Sequence, residues 1–217
     1  KQRWKKFNLL QPLWFLLLAM NFQWGVAVHD IKIGRFVKGR MKKAEFRQRM
    51  RPFLRKAGKQ LFKDYVLFPA LAFWQWPRVL LGNLVANLIR NLWTNAIIFC
   101  GHFTEQVHTY SLKETESETR GQWYLRQIQG SGNLEGSRVF HLLTGQLSRQ
   151  IEHHLYPDLP ATRYSELAPQ VRDICARYDV HYNTGGFWKQ YAGVLGRIFR
   201  HAFPTRPRAA ERVAATS

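Results

Sequence analysis

Between Tyr65 and Phe103 only Arg78 and Arg90 carry a formal charge. A backbone placed in so apolar a stretch must pair its own N–H and C=O groups, which favours helix. Pro69 and Pro77 interrupt it, and the pattern predicts a helical hairpin over 65–103 that turns near 76–83. Arms of about 18–21 residues, rising about 1.5 Å per residue, just cross a hydrocarbon core of about 30 Å. Trp74, Trp76 and Trp93 fall near the expected interfaces. The competing reading of the same residues is a buried helical pair in a soluble protein.

The rest of the chain must be reconciled with a net charge of +19, from 33 Lys and Arg against 14 Asp and Glu. Such an excess calls for an anionic partner, either nucleic acid or an anionic membrane surface. Residues 32–59 hold twelve Lys and Arg and one acid, Glu45, so 32–60 reads as a basic amphipathic helix on a membrane surface or a solvated charged helix. Phe36, Phe46 and Phe53 form an apolar stripe there, rather than the interleaved aromatics that stack bases. Eight Trp and fifteen Phe also favour lipid over nucleic acid. Residues 9–28 carry no charge but include Gln11, Asn21, Gln23 and Gly25, with basic clusters on both sides. Because positive flanks prefer the cytoplasmic side, 9–28 is expected to lie in the interface or re-enter rather than span.

Beyond Phe103 the sequence turns polar. "GSGNLEGS" reads as a loop, and Thr162–Tyr178 reads as an amphipathic helix presenting Leu167, Val171, Ile174, Cys175 and Tyr178. The tail from Arg206 reads as disordered. Cys100 and Cys175 match neither zinc nor disulfide spacing. No signal-peptide pattern is present. The first residue is Lys1, so the expectation is a fragment lacking its amino-terminal part. The fold class expected is all-α: one partial domain over 1–205, with a membrane hairpin and a cytosolic helical cap over 104–190.

Candidate chemistry centres on "QLSRQIEHHLYPDLP". On a helix, Gln150 precedes His153 and His154 by three and four residues, which clusters the three side chains. Neighbouring imidazoles stand about 100° apart, so the doublet can splay toward two metals or toward two positions of one site. Tyr156 and Pro157 end the helix. Asn95 and His102, seven residues apart, share a helix face, and a polar pair on an apolar helix points at an interior or a site. His141 reads as either a supporting group or a satisfied interior histidine, and the remaining histidines as surface groups. From the residues alone, the doublet reads equally as a hydrogen-bonded structural pair or a metal site.

"QIEHHLYPDLP" closely resembles the third histidine box of membrane fatty acid desaturases. "RNLWTNAIIFCGHF" resembles their last membrane helix, and "RYSELAPQVRDICARYDVHYNT" the helix after the box, so the likeness covers most of 60–190. The resemblance implies a bacterial acyl-CoA or acyl-lipid desaturase in the inner membrane, with a histidine-rich centre of two irons facing the cytoplasm. It implies dioxygen as co-substrate, an acyl-CoA or acyl-lipid substrate, and electrons from a separate redox protein. His153, His154 and His102 match ligand positions, and Gln150 the first position of the box. Where acyl-CoA relatives have an asparagine four residues before the helix-ending histidine, this chain has Ile98, and Asn95 is the nearest substitute. Imidazole suits iron, and Glu152, Asp158 and His141 are the local candidates to support the ligands. The family's two earlier histidine boxes do not occur in this sequence, so the chain alone is expected to be inactive. Alternatives are a related acyl hydroxylase or ketolase, or a non-enzymatic basic protein binding membrane or nucleic acid.

Overall fold

A computed structural model describes residues 4–204; the tail from Arg206 lies outside the described residues. In chain order the helices are α1 (Gln11–Met20), α2 (Phe22–Ile31), α3 (Ile33–Val37), α4 (Lys43–Phe62), α5 (Phe68–Leu71) and α6 (Trp76–His102). They continue with α7 (Leu112–Thr115), α8 (Arg120–Gln129), α9 (Arg138–Leu143), α10 (Gln150–Leu155), α11 (Tyr164–Arg177) and α12 (Phe187–Ala202). The structure is mostly helical, in keeping with the expected all-α class, with one small addition. The loop "GSGNLEGS" contains a strand, β1 (Asn133–Glu135), paired in parallel with β2 (Thr184–Gly186). Three-residue strands, one of them Thr-Gly-Gly, carry no alternating apolar pattern by which sequence would reveal them.

The chain divides into two compact units, one of residues 16–95 and one that combines the segment before Leu16 with everything from Ala96 onward. In the first, α4 passes through a π-helical segment, Lys63–Leu67, into α5 without a break. The reversal lies over Ala72–Gln75, where Phe73 takes a positive φ of 48°, which L side chains rarely adopt. Phe73 and Trp74, at the tip, are largely exposed. The predicted turn at 76–83 is therefore wrong: α6 runs unbroken for 27 residues from Trp76. Pro77 sits in its first turn, where a missing N–H costs nothing. Nor is the first arm a separate apolar helix, since residues 65–71 extend the basic α4.

Along α6, Asn83, Asn87, Asn91 and Asn95 recur every four residues and form one polar ridge. Asn83 Nδ2 donates to the Asp64 carbonyl (2.5 Å), Asn87 Nδ2 to the Tyr65 hydroxyl (2.8 Å), and Asn91 Oδ1 accepts from the Gln23 amide (3.1 Å). Asn95 is fully buried, and neither amide atom has a hydrogen-bond partner among the described residues. This ridge and Arg90, which donates to Gln23, keep α6 too polar for a simple span. Among the described residues no single helix is long and apolar enough to cross a membrane. One bent pair, Lys6–Met20 with Phe22–His29, passes by length and composition, with a turn of 100° between its halves. The two spanning arms expected of 65–103 are not found.

The second unit has its apolar core at Ile128, Ile151, Leu155, Val171 and Cys175, contributed by α8, α10 and α11. Capping boxes start α7 (Ser111 with Glu114) and α8 (Thr119 with Gln122). α11 begins at Tyr164, with Arg163 rather than Thr162 at its N-cap, and buries Tyr164, Ala168, Val171 and Cys175. Of the face expected for this helix, Ile174 and Tyr178 are exposed. The buried stripe is thus rotated toward the small residues that let α11 approach α10.

Candidate metal centre

The six-residue α10 is too short to hold itself in place; a buried polar network holds it. Glu152, fully buried, accepts from Asn133 Nδ2 (2.8 Å) and from the Tyr182 hydroxyl (2.7 Å). Asn133 Oδ1 accepts the backbone N–H of Ile151 (2.9 Å). Burial first, and the Glu152 charge second, push the Tyr182 phenol well above its usual range, so it remains a donor. Asn133 stands on β1 beside Thr184 of β2, and the strand pair thereby fixes the start of α10. Glu152, expected to support an imidazole, has both oxygens committed to this network instead. Asp158 is exposed and makes no hydrogen bond among the described residues. His141 is buried, with Nδ1 2.8 Å from Ser148 Oγ, which lies 2.9 Å from Thr144 Oγ1. Burial lowers the pKa of His141, repulsion from Arg149 adds to this, and a hydrogen bond with the Gly136 backbone opposes it.

The imidazole partners come from farther away in sequence. His153 Nδ1 lies 3.1 Å from the Tyr164 hydroxyl, which donates to the Tyr156 carbonyl (3.3 Å). With that hydroxyl hydrogen spent, the ring N–H sits on Nδ1. His154 Nδ1 faces Gln127 Oε1 at 3.4 Å, and Gln127 Nε2 donates to the Trp123 carbonyl (3.3 Å), which aims the amide oxygen at the ring. Both arrangements leave Nε2 with its lone pair free, the state in which imidazole binds a metal. Sequence reading missed Tyr164 and Gln127; only their contacts across the fold disclose them.

The doublet splays as its helical spacing requires. His154 faces His102 at the end of α6, with ring centroids 5.0 Å apart, while His153 turns toward Tyr164, 5.9 Å from His154. Gln150 packs against Gly101, where an added Cβ would stand 3.0 Å from Gln150 Cγ, and its buried Oε1 has no hydrogen-bond partner among the described residues. Burial, then repulsion from His102, His153 and Arg126, lowers the His154 pKa to about 4. His154 is therefore neutral at ordinary pH. A cleft of about 420 Å³ opens beside the pair, lined among others by His102, Phe103, Tyr110, Gln127, His154 and Arg197.

The imidazoles of His153 and His154, each with Nδ1 beside an oxygen partner, and the cleft shared by His102 and His154 fit part of an iron ligand set, whereas His153 and Gln150 do not line that cleft. These groups do not complete such a set. Among the described residues no three His, Cys, Asp or Glu side chains converge on a point that would hold a metal ion. Asn95 shares the helix face of His102.

Residues 1–186 match the family model for fatty acid desaturases. The NADPH-dependent stearoyl-CoA 9-desaturase of Mycobacterium tuberculosis is 43% identical over 94% of this chain and 49% of its own length. The acyl-lipid (8-3)-desaturase of Mortierella alpina is 24% identical over 91% of the chain and 45% of its length. Fatty acid desaturase 3 of Homo sapiens is 31% identical over 54% of the chain and 24% of its length. No solved structure matches. The chain spans about half the length, or less, of these curated relatives. With the family model covering the histidine doublet, Tyr164 and the strand pair that anchors them, this chain belongs to the fatty acid desaturase family.

Proposed function

We propose that the whole protein of which this chain forms part is a membrane-bound, dioxygen-dependent desaturase of long-chain acyl-CoA. The observation that carries this is the facing pair His102 and His154, each at a rim of one cleft, with the Nδ1–H of His154 oriented by Gln127. The stearoyl-CoA substrate named for the Mycobacterium tuberculosis relative supplies the substrate class. Iron, when bound, supplies dioxygen activation for removal of two hydrogens from the acyl chain, with two electrons delivered by a separate redox protein.

In this reading His102, His153 and His154 would contribute Nε2 lone pairs, and Gln150 would stand by as an oxygen donor. Tyr164 and Gln127 hold Nδ1 protonated so that neither box ring turns its wrong nitrogen to the metal. The Asn133–Glu152–Tyr182 network keeps α10 from sliding against β1. Phe103 and Val107 line the apolar part of the cleft, where an acyl chain is shielded from water. Three imidazoles are too few for two irons, so the 217-residue chain does not turn over by itself. The exposed apolar residues of α1 and α6, and the aromatic tip at Phe73 and Trp74, support residence at a membrane.

The test is the whole protein, assayed with Fe(II), NADPH, a redox partner and stearoyl-CoA, with products resolved by chain position. Double replacement of His153 and His154 by Ala is expected to lower turnover at least about 100-fold and to reduce bound iron. Unchanged turnover and iron content in that variant would refute the reading. A hydroxylated product would move the protein to the oxygen-inserting branch of the same chemistry.

A further inference from the structure

The helix α4 carries a second feature that the desaturase reading does not use. Lys43, Arg47 and Arg51 recur at four-residue spacing and form one row along its surface. Beside that row Phe46, Met50 and Leu54 form another, and Phe36 from α3 stacks on Phe46 with ring centroids 4.1 Å apart. Together they line a groove of about 480 Å³ whose floor is apolar and whose rim is basic. That volume is within the range that holds a small amphiphile.

Among the described residues nothing neutralises this rim. Glu45, the one acid of residues 32–62, pairs instead with Arg49 at 3.1 Å. Lys43, Arg47 and Arg51 make no ion pair or side-chain hydrogen bond among the described residues. Three uncompensated cations beside an exposed apolar groove cost the chain stability through mutual repulsion. That cost is recovered when an anion with an apolar tail occupies the site.

We propose that the α3–α4 groove seats an anionic phospholipid of the bilayer surface, its headgroup phosphate on Arg47 and Arg51 and the start of its acyl chain against Phe46, Met50 and Leu54. Charge complementarity selects a lipid over a neutral amphiphile, and the apolar floor selects it over a nucleic acid or an acidic peptide, neither of which has a tail to bury. The site deepens the membrane reading of the proposed function by naming the headgroup charge and the residues that read it. It is tested without turnover, so failure here leaves the desaturase reading standing, and failure there leaves this site standing.

The experiment is co-flotation of the 217-residue chain with vesicles of phosphatidylcholine alone and of phosphatidylcholine with phosphatidylglycerol, at fixed ionic strength. Anionic vesicles are expected to bind at least about tenfold more tightly. The double variant R47E/R51E is expected to lose most of that preference, whereas a charge-matched control, R138E/K189E, keeps it. Equal loss in both double variants would reduce the effect to overall charge and overturn the proposal, as would equal binding to both vesicles. A second measurement does not depend on charge reversal. Both native cysteines are buried, so Leu54→Cys can be labelled selectively with an environment-sensitive dye. Blue-shifted emission on anionic vesicles is expected; an unshifted probe on bound protein, or tighter binding to duplex DNA or a polyglutamate peptide, would refute lipid as the occupant.

Discussion

The two units solve the problem of polar groups in apolar surroundings in opposite ways. In the box-bearing unit, Asn133, Glu152 and Tyr182 answer one another inside the fold, and the imidazoles of His153 and His154 each have an oxygen partner within 3.4 Å. In the unit of residues 16–95, by contrast, α4 presents a basic row with no counter-charge among the described residues, and Leu81, Leu84, Val85 and Ile89 of α6 stand exposed. The first region is held to one geometry by its own side chains. The second leaves apolar and basic side chains facing outward. Geometry matters where donors must meet a metal, and adaptable contact suffices where a surface meets lipid.

The sharpest way to break that comparison is to make the same change in both regions. Asn133→Ala removes the Ile151 backbone's acceptor and one of the two donors to a fully buried carboxylate. Losing a hydrogen bond to a buried carboxylate together with a buried backbone acceptor costs about 2–4 kcal/mol. Asn87→Ala removes a single neutral bond to Tyr65, for which about 1 kcal/mol is expected. Chemical denaturation of the two variants, read by circular dichroism, checks the ratio; equal losses would mean that the Glu152 network is not what distinguishes the regions. Tyr182→Phe, which spares Asn133 and removes only the hydroxyl donor to Glu152, is expected to fall between them at about 2 kcal/mol.

A change at the seam between α6 and α10 tests how tightly the imidazole pair is packed. Gly101→Ala puts a methyl 3.0 Å from Gln150 Cγ, and overpacking of this kind costs about 1–3 kcal/mol. In the whole protein it is also expected to reduce bound iron, because Gln150 opens the helix that carries both box histidines. Iron content measured on the folded variant separates that displacement from simple loss of stability.

Acid distinguishes the regions by a different route. With the His154 pKa lowered to about 4 in the folded chain and near 6.5 when unfolded, the unfolded state binds the extra proton between those values. Stability contributed by this ring is therefore present above about pH 6.5 and lost as pH falls toward 4. Melting of the metal-free chain is expected to drop across that window, and His154→Gln to flatten the drop. An unchanged slope in the variant would assign acid sensitivity to other groups.

How much of this was legible in sequence depends on the reach of each contact. The doublet's helix and its stop at Tyr156 are local consequences of helical spacing, and they were readable. Tyr164 and Gln127 lie 11 and 27 residues from the rings they hold, and no spacing rule connects them. Glu152 is adjacent to the imidazoles in sequence, but its side chain points to β1 and Tyr182, contacts that no local spacing reveals. The asparagine ridge of α6 was visible as a four-residue repeat, and counting it would have warned against a simple apolar span. The turn was misplaced because Pro77 suggested a break, whereas in a helix's first turn proline is tolerated.

The smallest effect concerns glycine on an open helix surface, and its sign is what matters. Gly58 lies inside α4, exposed, and a Cβ there would meet nothing within 4 Å. With no steric objection, alanine removes only the backbone freedom that glycine brings to the unfolded state, and Gly58→Ala is expected to stabilise by about 0.5–1 kcal/mol. Gly101→Ala, the same substitution on α6, is expected to do the reverse because its surroundings are already filled. Thermal melts of the two single variants give opposite shifts if the box-bearing unit is internally complete and α4 is open. If Gly58→Ala also destabilises, α4 is covered by protein in the folded chain, and the contrast between a self-sufficient region and one awaiting lipid fails at its most exposed helix.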